Sequence, residues 1–313
     1  MIKMITVFGG SGFIGRYLIP LLAKQGVMIR VAVRHPERAL FLKPLGQLGQ
    51  IKLIATNIHD PQSVGNVIKG SDIVVNLVGI LYQRGSQKFH NIHIQAAKNI
   101  ANAVREYGAQ RFIHVSALGA SAQSASLYAR TKAEGEIQVR QIFPQTTIVR
   151  PSVIFGPEDQ FLNRFARIAQ RSLFLPLIQG HTKFQPVFVQ DVAQAIIQCL
   201  ADKGTQGKTY ELGGPNIYEF HQLLRYVLQV THRQRWLLRI PSMLAKIVAW
   251  PAEFLPNPPL TRDQVRLLKY DNVVQAQALS FKDLGMQPAA LELVAPEYLQ
   301  LYMSQRYLKN NAL

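Results

Sequence analysis

A glycine-rich run and a tyrosine–lysine pair are the residues of this chain best suited to chemistry. The run is Phe8-Gly9-Gly10-Ser11-Gly12-Phe13-Ile14-Gly15. Gly9, Gly12 and Gly15 give a G-x-x-G-x-x-G spacing, a variant of the dinucleotide fingerprint. Lacking a Cβ, such a turn closes tightly and lets backbone N–H groups approach a pyrophosphate at the positive end of a helix. The pair is Tyr128 and Lys132, within Tyr128-Ala129-Arg130-Thr131-Lys132. On a helix the i,i+4 spacing sets phenol and ammonium on one face. A cation there favours the phenolate and lowers the tyrosine pKa, which assists proton transfer. The lysine could also hydrogen-bond a nicotinamide ribose; a merely solvated Tyr–Lys pair is the other reading.

These residues need particular elements to position them. Ile5 to Phe8 is a short apolar run that reads as a buried parallel strand, and Tyr17 to Ala23 has helical apolar spacing. The glycines therefore fall at a strand-to-helix turn, and the cofactor-binding set read there is Gly9, Ser11, Gly12, Phe13, Ile14, Gly15 and Arg16. A second apolar strand, Ile29 to Val33, ends at Arg34, nineteen residues after Gly15. NAD-specific sites place an acid there to bind the ribose 2′-OH, whereas an arginine would grip a 2′-phosphate. With Arg16 and His35 close in sequence, the expected cofactor is NADP(H) rather than NAD(H). A solvated loop cation is the alternative for Arg34.

Further strands are expected at Ile51–Ala55, Ile73–Leu77, Phe112–Val115 and Thr147–Val149, with helices between them, including Pro61–Lys69 and His93–Tyr107. That alternation predicts an α/β fold, a doubly wound parallel sheet of Rossmann-like type. Residues 1–150 would form the dinucleotide-binding domain, completed by about 185–212. Residues 151–184 and 213–313, where prolines cluster, would form a smaller, irregular C-terminal lid.

Composition narrows the function classes. A single cysteine, Cys199, excludes an intramolecular disulfide, and no clustered ligand spacing points to a metal. A first strand directly after Met1 leaves no room for a signal peptide, and no apolar run is long enough to span a bilayer. The formal charge is +17, most of it in residues 1–150. Such a field favours anionic partners, but no nucleic-acid module accompanies it. Residues 220–252 hold no acid yet carry Arg225, Arg233, Arg235, Arg239 and Lys246 among Trp236, Leu237, Leu238, Met243, Leu244, Ile247, Val248 and Trp250. That mixture suits an anionic membrane surface or the flank of a membrane complex, or else an ordinary lid with core-facing apolar residues. Asp191 reads as a helix cap, and His93 as a residue that could order the tyrosine.

Taken together, the fingerprint, Asn57-Ile58, Leu77-Val78-Gly79, Tyr128/Lys132, Arg150-Pro151-Ser152-Val153-Ile154-Phe155-Gly156-Pro157 and Val187-Phe188-Val189-Gln190-Asp191-Val192-Ala193 resemble the extended or atypical short-chain dehydrogenase/reductase superfamily. The resemblance covers most of the chain. Val149–Phe165 and Leu260–Val274 narrow it to the NADPH-binding accessory subunits of respiratory complex I and their bacterial relatives. It implies cofactor contacts from Asn57, Ile58, Val78, Gly79, Tyr128, Lys132, Pro151 and Val153. It also implies complex I subunits as partners and a peripheral position on the cytoplasmic face of a bacterial inner membrane or the matrix side of a mitochondrial one. Substrate turnover would be slight or absent; a working oxidoreductase or epimerase/dehydratase is the alternative. One departure bears on this. The family's catalytic serine or threonine position falls on Leu118, while Ser116 lies twelve residues before Tyr128, with Ser121, Ser124 and Ser126 as other hydroxyls. Nothing in the sequence fixes an oligomeric state.

Overall fold

A computed structural model of the chain describes residues 3–256 and 258–304. Met1 and Leu313, the outer ends of the two expected parts, lie outside the described residues. The strands are β1 (Met4–Phe8), β2 (Met28–Val33), β3 (Ile51–Ala55), β4 (Ile73–Asn76), β5 (Arg111–Val115), β6 (Thr147–Pro151) and β7 (Ile154–Phe155). They continue with β8 (Phe174–Leu177), β9 (Lys183–Phe184), β10 (Val187–Phe188), β11 (Thr209–Leu212), β12 (Tyr218–Glu219) and β13 (Trp236–Arg239). The helices are α1 (Phe13–Lys24), α2 (Pro61–Ile68), α3 (Ala96–Glu106), α4 (Leu127–Ile142) and α5 (Leu162–Arg171). After them come α6 (Val189–Ala201), α7 (Phe220–Val230), α8 (Ser242–Ala252), α9 (Arg262–Leu267) and α10 (Leu291–Leu299). Among the described residues no helix is long and apolar enough to cross a membrane.

The chain divides into two compact units. The first comprises Met1–Pro151, Val189–Leu212 and Ala276–Met286; the second comprises Ser152–Phe188, Gly213–Gln275 and Gln287–Leu313. Ala276–Met286 falls within the part expected to be lid, yet it packs with the first unit. There Leu279 accepts a hydrogen bond from Glu211 N at 2.8 Å, extending the edge of β11.

The first unit is a seven-stranded parallel sheet in the order β11-β6-β5-β4-β1-β2-β3. Its strands are apolar on both faces because helices cover both. On one side Val64, Val67, Ile68, Ile100, Val104 and Val139, from α2, α3 and α4, close over Phe8, Val74 and Phe112. α1 and α6 pack together in the same unit. Strand order reverses between β1 and β4, the switch point where open sheets of this kind bind ligands. Arg111, on β5, ties the sheet to the end of α6 by donating to the carbonyls of Cys199 and Asp202 and to Thr205 Oγ1. A guanidinium there satisfies carbonyls that the helix end leaves open.

The second unit is built of short ladders: β7 with β10 and β8 with β13, both parallel, and β9 with β12, antiparallel. Its core gathers Phe155, Leu162, Phe184, Phe220, Leu223, Val227, Leu291 and Tyr298. Asp159 lies buried at its centre. It accepts hydrogen bonds from the backbone N–H groups of Gly156, Phe161 and Asn163 and from the Tyr298 hydroxyl at 2.8 Å. Four donors offset the cost of burying a carboxylate, although burial still holds its pKa above the usual range.

Candidate functional site

The glycine turn begins where β1 ends, and each glycine has a physical reason. Gly9 has φ +75°, a left-handed conformation that a side chain would strain. A Cβ on Gly15 would stand 2.2 Å from the Gly10 carbonyl oxygen, so only glycine lets α1 come this close to the turn. Gly10, absent from the sequence-derived set, is equally constrained: a Cβ there would meet Val31 Cγ1 at 2.7 Å. α1 starts at Phe13 with Gly12 as its N-cap, and no side chain caps it. The N–H groups of its first turn are therefore available to an anion, and the helix dipole favours one.

Arg34 follows β2 directly and is exposed; among the described residues no hydrogen bond or ion pair engages it. Its neighbours are more committed. Arg16 lies over the Phe41 ring at 4.7 Å, and His35 Nδ1 is 3.3 Å from Glu37. Asn57 uses its side chain locally, with Oδ1 accepting from His59 N, while Ile58 packs against the core below the α2–α3 face. Val78 N donates to Asn76 Oδ1 at 3.0 Å, and a Cβ on Gly79 would lie 3.7 Å from Lys132 Nζ. Gly79 and Lys132 are thus brought together. Pro151 ends β6 in the first unit; Val153 belongs to the second.

Ser126 caps α4 by accepting from Ala129 N, and the next turn carries Tyr128 and Lys132. Lys132 Nζ donates to the Val115 carbonyl at 3.0 Å, anchoring the ammonium at the end of β5. Burial lowers its pKa to about 8, with Glu136 pulling the other way. Tyr128 packs edge-on against His93 at 5.3 Å and Phe89 at 5.7 Å. Its phenol does not behave as the spacing suggests: burial pushes it up to about 12 rather than down. Desolvation of the phenolate is the cause.

His93 sits in a π-helical turn, His90–Gln95, and such turns mark many functional sites. Its carbonyl lies so close to α4 that a Cβ on Gly135 would stand 2.1 Å away, which is why α4 carries a glycine there. Nε2 accepts from Ile80 N at 3.2 Å, so the ring proton is on Nδ1, facing Thr131 Oγ1 at 3.0 Å. The Thr131 hydroxyl in turn donates to the Leu127 or Tyr128 carbonyl. Burial, then Lys132, drive the His93 pKa down to about 2. His114 is a second neutral imidazole. Asn76, whose Oδ1 is used by Val78, donates to its Nδ1 at 3.1 Å, and its pKa falls to about 3 through burial and Lys132. Neither His114 nor the Thr131 link has a spacing signature in the sequence.

Ser116 Oγ is buried with no hydrogen-bond partner among the described residues. It shares a peptide bond with the carbonyl that holds Lys132, so a polar group next to the ammonium would find a donor there. Leu118 is 7% exposed and apolar, leaving no hydroxyl at that position. Of the other hydroxyls, Ser126 is committed to the cap and Ser121 to its own loop. Asp191 lies in the first turn of α6, where an acid meets the positive helix end. The glycine turn and the unsatisfied Ser116 hydroxyl together fit a dinucleotide running from α1 towards Lys132.

Comparison with known proteins agrees with this geometry. Residues 5–213 match the NAD dependent epimerase/dehydratase family. The mitochondrial NADH-ubiquinone oxidoreductase 40 kDa subunit of Neurospora crassa is 36% identical over 303 residues, covering 96% of this chain and 80% of that protein. The mitochondrial NADH dehydrogenase [ubiquinone] 1 alpha subcomplex subunit 9 of Arabidopsis thaliana is 38% identical over 310 residues, covering 95% and 77%. Among solved structures, the NADPH-dependent quinone oxidoreductase QOR2 of Escherichia coli, complexed with NADPH, superposes with a TM-score of 0.75 at 21% identity, covering 95% of this chain and 99% of that one. That last likeness speaks for the fold alone. The chain belongs to the NAD dependent epimerase/dehydratase family and, within it, to the family of NADH dehydrogenase [ubiquinone] 1 alpha subcomplex subunit 9.

Proposed function

We propose that this protein is an NADP(H)-binding accessory or assembly component of a complex I-type enzyme, held peripherally on its membrane, with little or no substrate turnover. The observation that carries the reading is near full-length similarity to subunits of that enzyme. The site's residues are consistent with binding more than with catalysis. Gly9, Gly12 and Gly15 receive the pyrophosphate, Arg34 the 2′-phosphate, and Lys132, Tyr128 and Ser116 the nicotinamide end. A nicotinamide bound there would supply hydride exchange. Leu118, however, removes a donor for a developing oxyanion, an effect worth about 10²–10³ in rate elsewhere. The second reading, a working oxidoreductase or epimerase/dehydratase, is favoured by the retained Tyr128–Lys132 pair. Robust turnover abolished by Tyr128→Phe would establish it. Co-purification of the untagged protein with quinone-reducing complex I from native membranes tests the first reading, and a wholly free soluble form would refute it.

Arg34 sets the nucleotide preference. Because it is exposed and uncommitted, its charge-assisted bond to a 2′-phosphate contributes about 1.5–3 kcal/mol. NADP(H) should bind more tightly than NAD(H) by about one to two decades, and Arg34→Asp should reverse the order. Calorimetry on the apo protein with both nucleotides is the measurement. Equal affinities in the wild type would remove Arg34 from the argument.

Attachment is assigned to α8 and its flanks. α8 buries only Ala245 and Ala249, leaving Met243, Leu244, Ile247, Val248 and Trp250 exposed, with Trp236 and Phe254 nearby in sequence and 76% and 82% exposed. An ordinary core-facing helix would bury its large residues, so this face is made for an apolar partner. Of the five basic residues, Arg233 and Arg235 are tied to the backbone carbonyls of Tyr302, Met303 and Ala169. That leaves Arg225 on α7, and Arg239 and Lys246 beside or on α8, to meet anionic headgroups, each contributing about 1 kcal/mol near the surface. Flotation with anionic vesicles at low salt should recover the protein, and Ile247→Glu with Trp250→Glu should release it. If those substitutions leave vesicle and native-membrane binding intact, α8 is not the attachment face.

A further inference from the structure

The second unit brings together three ligand-type side chains, His181 from one segment and Glu219 and His221 from another, outside the nucleotide-binding set named above. His181 Nδ1 lies 2.9 Å from Glu219 Oε2, and His221 Nδ1 lies 3.1 Å from the same oxygen. All three ligand atoms fall within 4.8 Å of one another. The arrangement is imposed by the fold. β12 pairs antiparallel with β9, setting Glu219 opposite Lys183, and Phe220 N and His221 N donate to Thr182 O and Gly180 O. His181 follows Gln179-Gly180, where Gln179 has φ +53°, so the turn carrying it is held in a conformation that few side chains adopt. Glu219 is fixed at the start of α7, with its N–H bonded to Gln222 Oε1 at 2.8 Å.

We infer that His181, Glu219 and His221 form a binding site for a divalent transition metal, best matched to zinc(II). Two imidazole nitrogens and one carboxylate oxygen are the donor set that zinc prefers over hard cations, which take oxygen alone. Tetrahedral zinc with bonds of about 2.0–2.1 Å sets neighbouring ligand atoms about 3.3 Å apart. The N–O separations of 2.9 and 3.1 Å need to open slightly, the two nitrogens, within 4.8 Å of each other, to settle to that spacing, and His221 Nδ1 to turn from the Gly180 carbonyl at 3.2 Å. In the bound state each imidazole offers its Nδ1 lone pair to the metal and carries its single proton on Nε2, any additional proton being released to solvent. Solvent completes the coordination, since the His181 side chain is 82% exposed while Glu219 and His221 are 31% and 24%. The ion would staple the β9 turn to the start of α7 and stabilise the second unit by mass action. The sequence predicts no metal here because Glu219 and His221 alone make no ligand motif and His181 lies 38 residues before Glu219; the β9–β12 pairing brings it beside them.

Zinc titration of the untagged, chelator-treated full chain, by calorimetry, tests this. One site should appear, unaffected by a large excess of magnesium. His181→Ala, His221→Ala and Glu219→Gln should each weaken it by about tenfold or more. His59→Ala, an exposed histidine elsewhere, should match the wild type. Cobalt(II) provides a second readout, with the intense visible bands of a four-coordinate site in the wild type and their loss in His221→Ala. Absence of zinc binding in the wild type, or equal binding in all three variants, would overturn the assignment.

Discussion

Arg150→Met should destabilise this protein by about 3–5 kcal/mol, a large fraction of the margin of a typical domain. Arg150 reaches from β6 to two acids on other elements of the first unit. Its Nε and one terminal nitrogen grip Glu136 of α4 at 2.9 and 2.6 Å, and the other nitrogen lies 3.3 Å from Glu211 of β11. The acids are nearly buried, with side chains 6% and 8% exposed, while the arginine is 25% exposed. A two-pronged pair is the strongest geometry a guanidinium offers. Replacing the ion pairs entirely can be close to neutral, but removing the cation alone takes the two-pronged partner from Glu136 and a charge partner from Glu211 while both stay nearly buried. Denaturant midpoints should therefore fall sharply in Arg150→Met and recover in the triple variant that adds Glu136→Gln and Glu211→Gln. A loss below about 1 kcal/mol in the single variant would show that water reaches the acids. The effect also extends to the site. Glu136 raises the Lys132 pKa, so a Glu136 that has lost Arg150 is free to draw on Lys132 instead.

Much of the first unit was legible because buried parallel strands write themselves as apolar runs. The expected strand at Ile51–Ala55 coincides with β3, and those at Ile5–Phe8, Ile29–Val33 and Ile73–Leu77 differ from β1, β2 and β4 by a single residue at one end. β11 was not read as a strand, since Thr209–Leu212 alternates too briefly to stand out. The second unit had almost no legible strands. Several of its ladders are two residues long, below any periodicity that a sequence can display, and they exist only because distant segments pair.

At the site, positions were easier to read than properties. The glycine turn, Arg34 and the Tyr128–Lys132 helix follow from spacing. The state of those groups follows from burial, which spacing does not encode. So the spacing predicts a Tyr128 pKa lowered by the cation, and burial raises it instead. His93 was visible as a possible partner of the tyrosine, but its neutral tautomer depends on Ile80 N, thirteen residues earlier in the chain. The dual readings of residues 220–252 could not be separated without knowing which face of α8 is covered. The exposed large residues of α8 are what supports the attachment proposed above, and two of the arginines bond backbone carbonyls of the fold instead.

Acid should weaken the fold well before ordinary carboxylates titrate, and the two buried imidazoles are the reason. His93 and His114 are each 2% exposed and held neutral by burial first and by the Lys132 charge next. In the unfolded chain each takes a proton near the ordinary value of 6.5; in the fold that waits until about 2 for His93 and about 3 for His114. Between those limits the unfolded state binds more protons, so stability rises with pH from about 3 to 6.5 and is lost as pH falls through that window. At about pH 5 each histidine would cost about 2 kcal/mol, and the pair about 4. Asp159 works in the opposite sense, since its raised pKa lets the folded state take a proton first, but its window lies nearer the carboxylate range. Lys132 contributes to both histidine shifts after burial, so Lys132→Met should soften the acid limb without moving the plateau near pH 7 in parallel. Denaturant midpoints at about pH 5 and 7 in wild type and Lys132→Met are the measurement. Equal wild-type stability at both would mean that protons reach these rings in the folded protein, and that the neutral cluster around Tyr128 is not the resting state of the site.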